Sequence, residues 1–228
     1  MKKLIIIVLV IILSSCKSNN FDTTKEIKLP KDFKSISRLL DSIHDEDQKY
    51  RKELNLLSKN HEWESDKIKE QWKKIRKSDL ENLKIVKNIL DKHGWISSSK
   101  IGQKANSTLF LVIQHSDQET QEKYLPMMRK AVENNKANPA SLALLEDRVA
   151  LGKGELQIYG SQIGTDQVTG EIYVLPLLDP VNVNNRRAKA GLGTIEDYVS
   201  YWKIEWDIEE YLKKLPKWKE ELKKHKIL

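Results

Sequence analysis

Residues 33–57, FKSISRLLDSIHDEDQKYRKELNLL, decide the type of fold. Apolar and aromatic side chains recur there at helical spacing, at Phe33, Ile36, Leu39, Leu40, Ile43, Tyr50, Leu54 and Leu57. Steps of three and four place these side chains on one face of a helix, so the pattern predicts a long amphipathic α-helix. The rest of the chain repeats this helical pattern several times.

The next segment carries a second helical pattern. Apolar residues at helical spacing begin again at Trp63 and continue past Ile75. The sequence SDLE at 78–81 has capping-box spacing, so it either opens a new helix or lies inside one long helix. Gly94 stands where a residue in the left-handed conformation commonly ends a helix.

Three shorter helices are predicted in the middle of the chain. The apolar run 109–113 indicates a buried helix, with a strand as the alternative. The capping box SDQE at 116–119 opens the next helix, which Pro126 is expected to kink or interrupt. Asn138 followed by Pro predicts the start of a third helix, which stops at Gly152.

The C-terminal third has a different texture. Residues 155–159 and 171–175 are short β-prone runs separated by three glycines, which predicts a hairpin with a long loop. Thr194 opens a final helix that extends past Trp206, and Pro216 is expected to break it. The predicted fold class is therefore mainly α: a single helical domain with a small β-hairpin.

The first sixteen residues predict export and lipid attachment. Lys2 and Lys3 precede the apolar run 4–13, which is too short to cross a bilayer as a stable helix. The run ends in LSSC at 13–16, which resembles the lipobox of bacterial lipoproteins. We therefore expect a signal peptide that is cut before Cys16, and acyl chains such as palmitate on that cysteine. Several acyl chains, at about 0.8 kcal/mol for each buried CH₂, make a lasting anchor.

These features predict the organisation of the chain. A signal peptide occupies 1–15, the lipidated cysteine and a polar tether occupy 16–30, the helical domain covers 31–213, and a charged tail covers 214–228. The expected location is the cell membrane or the outer membrane, outside the cytoplasm. The bilayer itself is the first expected partner, through acylated Cys16, and the side of the membrane stays open.

Composition narrows the possible chemistry. Cys16 is the only cysteine, so once it is acylated no thiol remains for a disulfide, a nucleophile or a zinc site. Loss of Lys2 and Lys3 lowers the formal net charge from +7 to +5. Interleaved Lys and Glu at 64–77 and 213–226 are typical of solvated helix faces, and attraction to anionic lipid headgroups is the alternative. No nucleic-acid partner is expected, because no known module motif is present.

Six groups of polar residues adjoin apolar runs, where solvation is weakest. They are Asp47-Gln48 with Arg51, Gly94-Trp95, Gln114-His115 with Asp117, Asp147-Arg148, the sequence QIYGSQ at 157–162, and Asn184 with Arg186-Arg187.

The run LALLEDRV at 142–149, followed by Gly154 and by QIYGSQ, resembles an uncharacterised bacterial family known as domain of unknown function 6624. The resemblance includes the other polar groups and Leu125-Pro126, and it spans roughly residues 35–200. Ile96 and Ser161 depart from it mildly, since the family often has Pro and Thr at these places. The family has no assigned activity, so the resemblance implies domain boundaries and no reaction.

Two residues are candidates for catalysis. His115 is a possible general base because its ordinary pKa lies near neutrality. The structural alternative is a histidine at the edge of the core that bonds a backbone carbonyl. Asp147 is the second candidate. The alternative is that Asp147 or Arg148 belongs to a buried ion pair with another helix, through Arg51 or Asp47.

Six residues are candidates for ligand binding: Gln114, Arg148, Gln157, Tyr159, Gln162 and Arg187. Arg148 and Arg187 suit a carboxylate or a phosphate, whereas neutral amides and a phenol suit sugar or peptide groups. The structural alternative for Gln157, Tyr159 and Gln162 is that they satisfy the backbone of a long loop. For Arg187 it is a solvated basic turn or a clamp on the C-terminal carbonyls of a helix. The histidines lack two-His ligand spacing, so no metal site is predicted, and no cofactor is implied.

Three classes of function follow. The first is an envelope lipoprotein that binds a small molecule or an envelope protein. The second is an envelope enzyme, hydrolase-like or transferase-like, that uses His115 and Arg148. The third is a purely structural lipoprotein in which the polar groups form buried networks.

Overall fold

The computed structural model describes residues 29–60, 65–166 and 169–225. The predicted signal peptide, the acylation site at Cys16 and the helix position Trp63 lie outside the described residues. Helices dominate the described part, and one small antiparallel sheet accompanies them. The predicted fold class, mainly α with a small β-hairpin, is confirmed.

The described residues contain eight α-helices and two strands. In chain order they are α1 (Phe33–Leu57), α2 (Asp66–His93), α3 (Ser98–Gln114), α4 (Gln118–Glu133), α5 (Pro139–Gly152), β1 (Ile163–Thr165), β2 (Ile172–Val174), α6 (Val183–Lys189), α7 (Ile195–Val199) and α8 (Ile208–His225).

These elements group into two compact units. One unit contains the described residues up to Ala137, with α1 to α4, and the other begins at Asn138 and contains α5 to α8 and the sheet. Among the described residues, none of the helices combines the length and the apolar character that crossing a bilayer requires.

Helix α1 forms where the periodic apolar pattern predicts it. The Asp32 side chain caps its start by accepting a 2.9 Å hydrogen bond from the Ser35 N–H. The buried face of α1 continues without a break from apolar to charged positions, through Ile36, Leu40, Ile43, Asp47, Arg51 and Leu54. This one helix therefore supplies both a core stripe and two buried charges.

Helices α2 and α3 pack against α1. The sequence SDLE at 78–81 lies inside α2, which agrees with the long-helix alternative, and Gly94 ends this helix with a positive φ of 63°. The apolar run 109–113 is helical, within α3. The Thr108 hydroxyl ties α3 to α1 by donating to the Leu40 carbonyl at 3.1 Å.

Helix α4 begins one residue later than the predicted capping box implies. Its cap is Asp117 rather than Ser116, and the Asp117 side chain accepts from the Thr120 N–H at 2.8 Å. Pro126 lies inside this helix without ending it. The Asp117 carboxylate is therefore used at the helix start, and Pro126 is a helical residue.

The predicted first strand at 155–159 is wrong. The strands are Ile163–Thr165 and Ile172–Val174, which pair antiparallel with Ile163 opposite Val174. Within 155–159, only Gln157 joins a ladder, as an isolated parallel bridge to Leu177. The backbone N–H groups of Ile158 and Tyr159 donate to the Asp147 carboxylate, so they are not available for a strand ladder.

The predicted break at Pro216 is also wrong. Pro216 lies inside α8, and the predicted boundary between domain and tail at 213 falls within that helix. Leu215 and Trp218, on either side of Pro216, are buried in the second unit's apolar core, and Trp218 stacks on Tyr173 at 4.4 Å between ring centroids. The helix expected from Thr194 to beyond Trp206 is instead the short α7, which continues as a 3₁₀ turn at Ser200–Trp202.

Candidate functional site

Four ionisable side chains meet where α1, α2 and α3 pack together. Helix α1 supplies Asp47 and Arg51, which are four residues apart and share the buried face of that helix. Helix α2 supplies Asp79, and His115 caps the C-terminal end of α3. We call these four residues the acid–base cluster.

The cluster is held by short contacts. Arg51 Nη2 lies 2.7 Å from Asp79 Oδ1 and 3.2 Å from Asp47 Oδ1. His115 Nδ1 lies 3.1 Å from the same Asp47 oxygen, and Gln48 Nε2 donates to the other Asp47 oxygen at 2.8 Å. Asp47 is thus the centre of the cluster.

Burial removes most of the cluster from water. The Arg51 and Asp47 side chains are 1% and 2% exposed, and the imidazole of His115 is 6% exposed. Asp79 reaches furthest towards solvent, with 22% of its side chain exposed. A buried arginine between two carboxylates is costly to desolvate, so this arrangement depends on its mutual hydrogen bonds.

The surroundings shift the pKa values of His115, Asp47 and Asp79 in different directions. Burial and the nearby Arg51 charge lower the pKa of His115, although Asp47 opposes the effect. Burial works against ionised Asp47, but its hydrogen bond to His115, with the His115 and Arg51 charges, holds its pKa well below the usual range. Burial raises the pKa of Asp79, partly opposed by Arg51. His115 is therefore a neutral imidazole beside an ionised carboxylate at neutral pH.

The same residues form a potential group of metal ligands. Ligand atoms of Asp47, Asp79 and His115 lie within 4.8 Å of one another. However, Arg51 Nη2 already contacts both carboxylates, at the place where a cation would bind them. A metal ion there would have to displace the guanidinium from both carboxylates, so the residues as arranged do not fit a metal ion.

Several buried polar atoms near the cluster have no partner among the described residues. They include Arg51 Nε, Arg51 Nη1 and the side-chain oxygen of Gln114, next to His115 in sequence. The predicted ligand-binding residue Gln114 is buried, and its backbone carbonyl accepts from Gln121 Nε2 at 3.1 Å. Unsatisfied buried donors and acceptors are rare and are often associated with functional sites.

The second unit contains a different polar arrangement, built around Asp147. This residue lies on α5 and is fully buried. Its Oδ1 accepts hydrogen bonds from the backbone N–H groups of Ile158 and Tyr159 at 2.6 and 2.9 Å, and its Oδ2 accepts one from Ser161 at 2.8 Å. Burial raises its pKa, and the three donors oppose that rise. These contacts hold the loop at 158–161 against α5.

The Gln157 amide is used in the same loop. Its Nε2 donates to the carbonyls of Gln162 and Leu175 at 3.0 and 2.7 Å, and its Oε1 accepts from the Gln162 N–H at 2.9 Å. The Gln162 amide donates to the Ser161 hydroxyl at 3.0 Å. Ligand binding by Gln157 and Gln162 stays a prediction, but the contacts present fit the structural alternative of a satisfied loop backbone.

Two arginines of α6 hold the other side of this loop. Arg187 is buried, donates to the carbonyls of Tyr159 and Gly193 at 2.7 Å each, and lies over the Tyr198 ring at 4.8 Å. Arg186 donates to the carbonyls of Ile158, Leu178 and Asp179. The guanidinium of the predicted ligand-binding residue Arg187 therefore binds the backbone of its own unit.

Tyr159 is the predicted ligand-binding residue that borders an open pocket. The pocket has a volume of about 240 Å³ and is lined by Pro139, Leu142, Glu146, Tyr159, Arg186, Lys189 and Ala190. The Tyr159 hydroxyl donates to Glu146 at 3.2 Å on its wall. Arg148, adjacent to Asp147 on α5, is half-buried and is not among the lining residues.

A family model matches residues 36–209, which include both polar arrangements. The chain belongs to the family of unknown function DUF6624. The resemblance suggested by the sequence is thereby confirmed, and the matched range covers α1 to α7. Comparison with curated proteins and with solved structures gave no match.

The structure brings together some of the predicted residues and adds one. His115 meets Asp47 and Arg51, three residues that stood in two different sequence groups. Asp147, Gln157, Tyr159, Gln162 and Arg187 meet around the loop of the second unit. Asp79 was missed as a site residue, because its only sequence signal was a capping-box pattern.

Proposed function

We propose that this member of DUF6624 is a lipid-anchored envelope protein whose first unit carries an acid–base catalytic centre, in the manner of a hydrolase or a transferase. His115 is the general base, and Asp47 fixes its tautomer and orientation. The proposal rests on one observation above all: the buried 3.1 Å contact between Asp47 Oδ1 and His115 Nδ1.

The geometry supports a division of roles. A carboxylate at Nδ1 keeps the proton on that nitrogen, which leaves Nε2 with the lone pair that a base needs. The lowered pKa of His115 keeps this nitrogen unprotonated at neutral pH. In a hydrolase, Nε2 would take a proton from water, and in a transferase it would take one from an acceptor hydroxyl.

Asp79 is the candidate for the acid. Its pKa is raised while that of Asp47 is lowered, and such divergence between neighbouring carboxyl groups often separates acid from base. Asp79 is also the most exposed member of the cluster. Arg51 contributes one positive charge between the two carboxyl groups and stabilises anionic charge that develops beside them. Arg148, the arginine that the sequence associated with His115, has no assigned part in this centre.

A substrate screen with a pH profile tests the proposal. The full-length chain in detergent is assayed against chromogenic esters, phosphodiesters and glycosides. For a general base, we expect His115→Gln to lower turnover about 100-fold or more. Asp47→Asn should lower it and shift the acidic limb of the profile, which reports the pKa of the base. His44→Gln is the matched control, since that histidine lies on α1 outside the cluster.

Two outcomes would reject catalysis by His115. One is turnover that His115→Gln leaves unchanged, and the other is no turnover of any probe class, together with a lower melting temperature for each cluster variant. The second outcome would favour the purely structural lipoprotein.

The anchor has its own test. Mass spectrometry of the chain purified from membranes should show a mature N-terminus at Cys16 that carries acyl chains. A Cys16→Ser variant should keep its signal segment and lose the acyl mass. An unmodified Cys16 would remove the anchor without bearing on the acid–base centre.

Ligand binding is a second candidate function, and the pocket beside Tyr159 favours it. Its apolar side is formed by Pro139, Leu142 and Ala190. Glu146 adds one negative charge, and Arg186 and Lys189 add two positive charges. Such a lining suits a small polar molecule with an apolar part, or a side chain of an envelope protein. In fragment screening by thermal shift, Leu142→Trp should abolish any stabilisation by filling the pocket, whereas Leu212→Trp on α8 should preserve it.

A further inference from the structure

Helix α2 carries a basic stripe on the side opposite its buried residues. Its members are Lys69, Lys73, Arg76, Leu80 and Lys84, with Lys77 beside them. Steps of four, three, four and four residues place the first five on one line along the helix. All six side chains are exposed.

Acidic residues lie at the two ends of the stripe and beside it. Asp66 and Asp91 continue its line at the two ends of the helix. Glu70 and Glu81 each lie one residue past a stripe position, and Glu70 pairs with Lys74 at 3.4 Å. Lys69, Lys73, Arg76 and Lys77 have no ion-pair partner within the described part of the chain. Between Lys69 and Lys84 the line therefore carries basic residues and one leucine, without an acidic residue.

An apolar side chain lies in the middle of these charges. Leu80 is 60% exposed and is flanked along the stripe by Arg76 and Lys84. Cations around an exposed leucine suit the surface of an anionic bilayer, where the charges meet phosphates and the leucine enters the headgroup region. Water alone offers no favourable place for that leucine.

The proposed anchor would bring such a surface within reach. Residues 17–28 separate Cys16 from the described part of the chain, and twelve residues span at most about 42 Å. Helix α2, with 28 residues, is itself about 42 Å long. A chain held at this distance meets the bilayer at high local concentration, so weak electrostatic contacts suffice.

We infer that the basic stripe of α2 docks on an anionic phospholipid surface and lays the first unit against the membrane. This inference rests on the proposed anchor and is independent of the acid–base centre.

The test uses the full-length acylated chain reconstituted in vesicles of phosphatidylcholine, with or without one-third phosphatidylglycerol. A Leu80→Cys variant is labelled with a fluorophore sensitive to polarity, since acylated Cys16 does not react. We expect the emission to shift to the blue only in anionic vesicles, and the shift to disappear at 0.5 M NaCl.

A matched pair of charge variants locates the effect. Replacement of Lys69, Lys73, Arg76 and Lys77 by Gln should raise the phosphatidylglycerol content needed for a half-maximal shift at least threefold. Replacement of Lys217, Lys219, Lys223 and Lys224 by Gln on α8 removes the same charge and should leave it unchanged. Changing Lys69, Lys73 and Lys77 to Arg should also preserve the shift.

Three results would overturn docking by the stripe: no shift in anionic vesicles, a shift that salt does not affect, or equal losses from the two glutamine sets. Failure of the anchor would be recognised separately, because an unacylated Cys16 would take up a second fluorophore. Adding that unanchored chain to the same vesicles would still test the stripe.

Discussion

The Oδ2 atom of Asp147 accepts a 2.8 Å hydrogen bond from the backbone N–H of Ser161, fourteen residues along the chain. With the two further N–H donors on its Oδ1, this carboxylate fixes the loop that leads to β1. A helix side chain thus replaces the ladder hydrogen bonds that a strand at 155–159 would have made.

The Asp147→Asn variant should be less stable by about 2–4 kcal/mol, because an amide keeps one acceptor and turns an N–H group towards a backbone donor. Relief from burying a charge offsets part of this loss. Urea unfolding of the full chain measures it, with Glu155→Gln at an exposed position as the control. Equal stability of the two variants would contradict the role assigned to Asp147.

Gln157→Glu should be strongly destabilising at neutral pH. The new carboxylate would face the carbonyl oxygens of Gln162 and Leu175, which now accept from the amide at 3.0 and 2.7 Å. We expect a loss of about 3 kcal/mol, since acceptors are left unpaired around a buried charge.

The control for this change is Gln162→Glu, whose amide is only half-buried and donates to one hydroxyl. Acidification should restore part of the stability of Gln157→Glu as the carboxyl group gains a proton. The melting temperatures of Gln157→Glu and Gln162→Glu at pH 7 and pH 5 measure this difference. A Gln157 that serves a ligand and not the fold would give a melting temperature at or above that of the wild type.

Gly160→Ala should cost more than Gly170→Ala, although both glycines have a positive φ, of 67° and 73°. A Cβ at Gly160 would lie 2.8 Å from Cδ1 of the fully buried Ile195, whereas the one at Gly170 meets no atom within 4 Å. The left-handed conformation costs about 1–2 kcal/mol in each variant. Crowding adds about 1–3 kcal/mol at Gly160 alone. Identical melting temperatures would show that Ile195 moves aside freely.

Local sequence signals predicted α1, the cap of α5 and the start of α4 to within one residue, because a helix and its cap depend on residues a few positions apart. Asp117 and Asn138 each bond an N–H group two or three residues ahead. The predicted helix break at Pro216 was wrong because the cost of a proline inside a helix depends on whether water reaches the carbonyl that loses its donor. A proline deprives the carbonyl four residues earlier of its donor, and that residue, Leu212, is 41% exposed, so water can replace the donor.

The candidate site was only partly predictable for a similar reason. The sequence marked His115, Asp47 and Arg51 as polar residues beside apolar runs. Their contacts with one another, however, form only when the helices that carry them pack together. Asp79 offered no such signal, since its contact with Arg51 joins residues 28 positions apart. The strand at 155–159 failed because alternation alone cannot reveal that Asp147 and Gln157 already bind the backbone there.

The lowered pKa of His115 should make the free energy of unfolding depend on pH. Its pKa is lowered in the folded chain, so between the ordinary value near 6.5 and the folded value the unfolded chain binds more protons. Unfolding free energy therefore falls as the pH drops through this window, by at most about 1.4 kcal/mol per pH unit. The raised pKa of Asp79 acts in the opposite direction, since the folded chain then gains a proton on acidification. The lowered pKa of Asp47 weakens the fold only at more acidic pH, below its ordinary range.

Comparison of the wild type with His115→Gln separates these contributions. Both chains keep Asp47 and Asp79, and only the wild type has the imidazole. The wild type should lose more stability between pH 7 and pH 5 than His115→Gln. Urea titrations at half-unit steps of pH measure the difference. Parallel curves for the wild type and His115→Gln would mean that this histidine takes up its proton as readily in the fold as in the unfolded chain, which would remove the neutral base on which the proposed catalysis depends.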